Sequence, residues 1–237
     1  MTEQTFSAPL ETLRKRVQEA TQRLLGDTIG ISDDDWYRPS RLPGWSRANV
    51  AAHLSANAEA LADLVEAARN GRSAPLYVDD ESRREGVERG SSLTGLELQI
   101  GLDTSAGRLD KALEGVEDWS AAVELRGRTL TLAQVPLARL SEVVVHHLDL
   151  DCGFGLGRVE PGAARWLLHW ALLWHGHDAD LPAVRVQSTS GVAAALGEGD
   201  ELRTVSGPDA SLWARWVGRP PEQASEGGGG LTPALRS

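Results

Sequence analysis

Leu140-Ser141-Glu142-Val143-Val144-Val145-His146-His147-Leu148-Asp149-Leu150-Asp151 sets a few polar side chains into an apolar run, and the rest of the chain is organised around it. Glu142 and His146 stand four residues apart in an otherwise apolar run. On a helix, that spacing stacks two side chains one turn above the other on the same face. Arg139 and Asp149 extend the polar stripe, while Val143, Val144, Leu148 and Leu150 make the other faces apolar. A carboxylate and an imidazole pressed toward a hydrophobic interior need compensation. A hydrogen bond between them is one solution. A metal ion, with the glutamate oxygen and the histidine nitrogen as two of its ligands, is the other. The second solution demands a third donor elsewhere in the chain.

His53 is the candidate. It lies in the segment Arg47 to Arg69, whose apolar marks at Val50, Leu54, Ala58, Leu61, Val65 and Ala68 have a helical period. Ser46 stands at the N-cap position, delivered by the turn Leu42-Pro43-Gly44-Trp45. A lone histidine on an apolar helix face is most often a satisfied core residue. Beside a Glu-x-x-x-His helix, the same histidine completes two imidazoles and one carboxylate, a common catalytic metal set that leaves positions open.

Two more segments carry helical periodicity, Leu10 to Leu25 and Leu93 to Val116, which makes four long helices before residue 152. That is the number a bundle needs to enclose a metal in its core. Between them, Ser73 to Gly90 reads as a loop followed by a charged helical segment. Val123 to Leu130 alternates around Arg126-Gly127 and reads as a small hairpin. Thr131 and Gln134 form a capping-box pattern ahead of the Glu-x-x-x-His helix, and Pro136 predicts a kinked or displaced start.

Composition narrows the function classes. The chain has 237 residues, 41% of them hydrophobic, and a formal net charge of −10. This describes a soluble globular protein and argues against nucleic acid or an anionic membrane surface as partner. No apolar run approaches the roughly 20 residues that span a bilayer, and the polar N-terminus does not read as a signal peptide. A single cysteine, Cys152, excludes an internal disulfide and suits a cytoplasmic location.

Past residue 152 the pattern changes. Gly153, Gly155 and Gly157 read as a linker. Ala163 to Trp174 is apolar nearly all round, with Trp166, Trp170 and Trp174 at four-residue steps, a core stripe rather than a ligand box. His175-Gly176-His177 reads as that helix's C-terminus rather than a second metal site. Ala183 to Thr189 and Glu201 to Ser206 read as strands, Ala210 to Val217 as a helix, and Ser225 to Gly230 as a flexible tail.

The motifs Leu42-Pro43-Gly44-Trp45, His53, Pro75-Leu76-Tyr77-Val78 with Arg83, Gly127-Arg128-Thr129 and Ser141-Glu142-x-x-x-His146-x-x-Asp149 occur in that order. Together they resemble the mycothiol-dependent maleylpyruvate isomerase family within the DinB-like metalloprotein bundles. The resemblance implies an α plus α/β architecture: a DinB-like four-helix bundle over residues 1–152 and a small C-terminal α/β domain over 153–237 that contributes to the active cleft. It implies a divalent metal, usually zinc, on His53, Glu142 and His146, with mycothiol as the thiol cofactor. It also implies a cleft-facing role for Arg219, after the last helix. Arg219 and Arg83 are candidates for pairing with substrate or cofactor carboxylates, and Tyr77 and Arg83 for contacting the thiol cofactor. No role carries over to His147.

The implied reaction converts maleylpyruvate, or a similar cis-enoyl diacid, to the trans isomer. A thiolate adds to the cis double bond, the new single bond rotates, and the thiolate is eliminated. A free thiol has a pKa of about 8.5 and needs activation, which a metal supplies. Cys152 is a poor nucleophile because it falls at a helix C-terminus, where the dipole disfavours a thiolate. The partners expected are therefore a small-molecule substrate and a low-molecular-weight thiol. Two other readings are compatible with the bundle: a metal-dependent mycothiol S-transferase, and a non-catalytic metal-binding module.

Overall fold

A computed structural model describes residues 9–76, 80–176 and 181–220. The chain divides into two compact units, one of Pro9–Phe154 and one that takes up the chain from Gly155. The first is helical: α1 (Leu10–Thr28), α2 (Asp33–Trp36), α3 (Arg47–Arg69), α4 (Asp80–Gly90), α5 (Gly95–Glu114) and α6 (Val135–Asp149), with a hairpin of β1 (Ala122–Leu125) and β2 (Arg128–Thr131) between α5 and α6. No described helix is long and apolar enough to cross a membrane.

Local sequence explains where these helices begin. Ser46 and Asn49 form a reciprocal capping box at the start of α3: the Asn49 N–H donates to Ser46 Oγ at 3.2 Å and the Ser46 N–H to Asn49 Oδ1 at 3.0 Å. Thr94 and Glu97 do the same for α5. Gln134 Oε1 accepts from the Thr131 N–H at 3.0 Å, closing a short 3₁₀ turn, Leu132–Gln134, that leads into α6. Pro136 then falls in the first turn of α6. A missing N–H leaves no bond unmade there, so the proline starts the helix instead of kinking it.

The core joins these elements through Leu24, Trp36, Val50, Leu54, Leu98, Leu102, Val143 and Leu150. Gly95 is required where α5 meets α2, because a Cβ there would lie 2.6 Å from the Trp36 ring. On the outside, Arg108 of α5 bridges to Glu59, Asp63 and Glu66 of α3.

Polar groups set how α3 lies against α6. Arg139, only 2% exposed, donates to the Leu54 carbonyl at 2.9 Å and to Asn57 Oδ1 at 2.8 Å. At the other end of the pair, Arg47 donates to the carbonyls of Leu150 at 2.7 Å and Asp151 at 3.0 Å. The start of α3 therefore meets the end of α6, and the helices run antiparallel. His147 faces away from this seam. Its Nε2 lies 3.1 Å from Asp27 Oδ2 on α1, and its ring stacks on Phe154 at 3.9 Å.

The second unit contains α7 (Pro161–His175), β3 (Pro182–Ser188), β4 (Ala193–Leu196), β5 (Glu198–Gly207) and α8 (Asp209–Trp216). Its sheet has the order β4-β3-β5, with β4 antiparallel and β5 parallel to β3. Trp213 and Trp216 are fully buried on α8, and Trp170 is buried on α7. Trp166 and Trp174 are only half-buried. The strand β4 was not expected from sequence. Its Ala-Ala-Ala-Leu composition lacks the β-branched and aromatic residues that mark strands. His177 lies outside the described residues.

Asn57→Ala would deprive the buried Arg139 guanidinium of an acceptor, at a cost of about 1–3 kcal/mol. The expected outcome is a Tm lowered by several degrees in a thermal melt of the full chain. An unchanged Tm would show that Asn57 contributes nothing to the α3–α6 seam.

Candidate metal centre

Helix α3 supplies His53 and α6 supplies Glu142 and His146. One donor atom from each of the three lies within 4.8 Å of the others, the only such cluster of His, Cys, Asp or Glu among the described residues. Glu142 Oε2 is central: it sits 3.1 Å from His53 Nε2 and 3.5 Å from His146 Nε2. The two imidazole rings are 4.7 Å apart and steeply inclined at 76°, so both turn a nitrogen toward the same carboxylate. The Trp45 and His53 rings meet edge to face, 5.7 Å apart and inclined at 72°, which restrains the imidazole. His53 is 2% and His146 8% exposed, while the Glu142 side chain is 21% exposed. The centre thus opens to solvent at its carboxylate.

Asp149 determines what His146 offers. Its Oδ2 lies 2.9 Å from His146 Nδ1, and its side chain is wholly buried. A buried carboxylate there keeps a proton on Nδ1 and leaves the Nε2 lone pair facing Glu142 Oε2. Two acceptors so close repel unless a proton or a cation sits between them. A donor set of two imidazole nitrogens and a carboxylate oxygen, with an aspartate behind one imidazole, fits a divalent ion of the zinc class.

The electrostatics follow the same lines. Burial works against a charged Glu142, but hydrogen bonds with His146 and His53 and the charge of Arg126 hold its carboxyl well below the usual carboxylate range. Burial also works against a charged His146, yet its bonds to Asp149 and Glu142 raise its pKa above the ordinary value. A metal ion binding among these atoms would compete with protons for the same nitrogen and oxygen lone pairs.

Arg126 approaches from the hairpin tip. Its Nη2 lies 3.7 Å from Glu142 Oε1, the carboxylate oxygen turned away from His53. Its backbone is left-handed, with φ of +50°, and Gly127 follows at +76°. Paired positive φ values make the tight two-residue turn that matches strand twist, and Asn or Gly suits its first position. An arginine there costs about 1–2 kcal/mol in backbone strain.

Of the site residues expected from sequence, His53, Glu142 and His146 are brought together. Arg83 falls on α4, with its side chain outside the described residues, and Tyr77 lies outside them altogether. Arg219 follows α8 in the second unit, where its Nη1 donates to the Val217 carbonyl at 2.7 Å and its backbone N–H to the Ala214 carbonyl. Sequence reasoning left two members without a role. Asp149 was visible in the stripe, and its three-residue spacing from His146 was the available signal. Arg126 was seen only as part of a turn, since nothing in strand alternation says where a hairpin tip reaches.

Residues 8–151 match the family model described as the mycothiol maleylpyruvate isomerase N-terminal domain. Comparison with curated proteins gives no match. Two solved structures are similar. One is a crystal structure of a mycothiol-dependent maleylpyruvate isomerase, 26% identical, covering 96% of this chain and 97% of its own with a TM-score of 0.86. The other is a histidine-to-alanine mutant of a mycothiol-dependent maleylpyruvate isomerase, 26% identical, covering 90% of each chain with a TM-score of 0.82.

His53→Ala and His146→Ala should each lose most bound divalent metal in elemental analysis while keeping a helical circular dichroism spectrum. Asp149→Asn keeps all three donors but not the anchoring charge, so its metal affinity, measured against a chelator, should fall about 10–100-fold. Full metal content in both histidine variants would remove the ligand assignment.

Proposed function

Because the chain belongs to the mycothiol maleylpyruvate isomerase N-terminal domain family, we propose that it is a mycothiol-dependent cis–trans isomerase of maleylpyruvate or a closely similar cis-enoyl diacid. The observation that carries this reading is the convergence of His53, Glu142 and His146 at one opening in the bundle. The likeness over 96% of the chain to a mycothiol-dependent maleylpyruvate isomerase supports it beyond the bundle. Bound together, the divalent ion and mycothiol would supply a thiolate able to add to the cis double bond, allow rotation and leave again.

The protein's part is to hold and orient. His53, Glu142 and His146 supply the metal donors, and Asp149 keeps the His146 tautomer fixed. Trp45 and the surrounding apolar side chains limit water on the α3 side. Arg219 is the proposed partner of a substrate carboxylate in the C-terminal unit, and Tyr77 and Arg83 the proposed contacts to the thiol. Cys152 takes no part. Burial, and then the nearby Asp27 carboxylate, push its thiol above the ordinary value, so it is protonated at neutral pH.

The test is turnover of maleylpyruvate by metal-loaded protein with and without mycothiol. Isomerisation should require both, and Cys152→Ser should match the wild type. Conjugates of mycothiol with simple electrophiles, formed without any isomerisation, would replace this reading with the S-transferase one. Arg219→Ala should keep its metal and lose at least tenfold in kcat/KM, the equivalent of a charge-assisted contact of about 1.5–3 kcal/mol. Wild-type kcat/KM in that variant would take Arg219 out of the site.

A further inference from the structure

We propose that Arg126, at the tip of the β1–β2 hairpin, binds a carboxylate of the substrate beside the metal centre and so makes the site selective for dianionic ligands. The inference rests on the isomerase reading for the identity of the substrate, but on the geometry of the hairpin for the contact itself.

Three observations converge on this residue. The first is position: Arg126 Nη2 lies 3.7 Å from the outer oxygen of Glu142, so the guanidinium stands at the rim of the three-donor cluster. The second is availability. At 3.7 Å the pair is an ion contact and not a hydrogen bond, and Arg126 has no other polar contact among the described residues. A guanidinium has five N–H donors in a planar fork that matches a carboxylate. Here the side chain is 38% exposed, so a ligand in solvent can reach it. The third is backbone cost. Arg126 keeps a left-handed conformation at a position where glycine would be unstrained. Strained backbone clusters at functional sites, and here the strained residue is the one whose side chain reaches the cluster.

Charge balance gives the arrangement its logic. The chain carries a net charge of −10, and the centre holds the carboxylate of Glu142 and, buried behind His146, that of Asp149. A divalent ion would offset these two charges, and Arg126 adds at the rim the further positive charge that favours a dianionic ligand. While Glu142 is uncompensated it attracts Arg126. A divalent ion on its other oxygen would weaken that attraction and free the fork for a ligand carboxylate. An ammonium would supply the charge but not the planar fork, and the hairpin, joined by four paired positions, holds the tip in place.

The experiment uses the full-length, metal-loaded protein and maleate, a cis dicarboxylate that needs no thiol and no turnover to bind. Calorimetric titration compares maleate with its monoamide in wild type, Arg126→Gly and Arg126→Lys. Glycine relieves the left-handed backbone, so Arg126→Gly should fold with a Tm no lower than wild type and keep its metal. The expected result is at least tenfold weaker maleate binding in Arg126→Gly, loss of the preference for maleate over the monoamide, and an intermediate affinity in Arg126→Lys. Equal maleate affinity in wild type and Arg126→Gly would overturn the proposal. So would a wild type that does not bind maleate, or a loss in Arg126→Gly that follows loss of metal. A protein that binds maleate through Arg126 but never isomerises maleylpyruvate would keep this inference and remove the isomerase reading.

Discussion

A guanidinium buried between two helices holds this centre in register. Arg139 reaches from α6 to the Leu54 carbonyl and Asn57 of α3, while Arg47 reaches from the start of α3 to the last carbonyls of α6. The donors His53, Glu142 and His146 lie between those two crossings. Apolar packing alone tolerates sliding, because Val and Leu contacts are nearly equivalent after a small shift. Directional bonds from a buried charge do not, since a slip leaves the guanidinium without acceptors. The hydrophobic core thus brings α3 and α6 together, and the two arginines decide which residues face each other.

The same division of labour recurs within the centre. The chain Asp149–His146–Glu142 is a run of charge-assisted contacts in which each group sets the protonation of the next. Asp149 is fully buried, so its charge is not screened by solvent and acts on His146 almost undiminished. Glu142 differs from its partners in being reachable from outside. Its outer oxygen meets Arg126 of the hairpin, so one carboxylate connects the interior of the bundle to its solvent-facing side.

Helical spacing made the grouping of His53, Glu142 and His146 readable in the sequence. Glu142 and His146 are four residues apart, and His53 falls on the apolar stripe of its own helix. A helix converts such intervals directly into faces. The motif order from Leu42 to Asp149 pointed to the family that the match over residues 8–151 identifies. What stayed hidden depended on contacts between segments distant in sequence. His147 pairs with Asp27, 120 positions away, and adjacent residues 146 and 147 therefore serve different neighbours. The reach of Arg126 is set by how the hairpin packs, which alternation does not encode. Pro136 misled because its meaning depends on whether it stands one residue inside a helix or several. The strand Ala193–Leu196 owes its conformation to pairing with β3 rather than to its own residues.

The setting of Cys152 has a consequence for survival under oxidation. Its thiol is half-buried, packs against the core that contains Leu150 and Trp36, and is held protonated by burial and by Asp27. Mixed-disulfide exchange and sulfenic acid formation both start from an exposed thiolate. On the isomerase reading proposed above, the protein works among free thiols and electrophilic alkenes, and a reactive cysteine would be capped by them. With the Cys152 thiol kept protonated near the end of α6, the one cysteine of the chain is a poor target for either reaction.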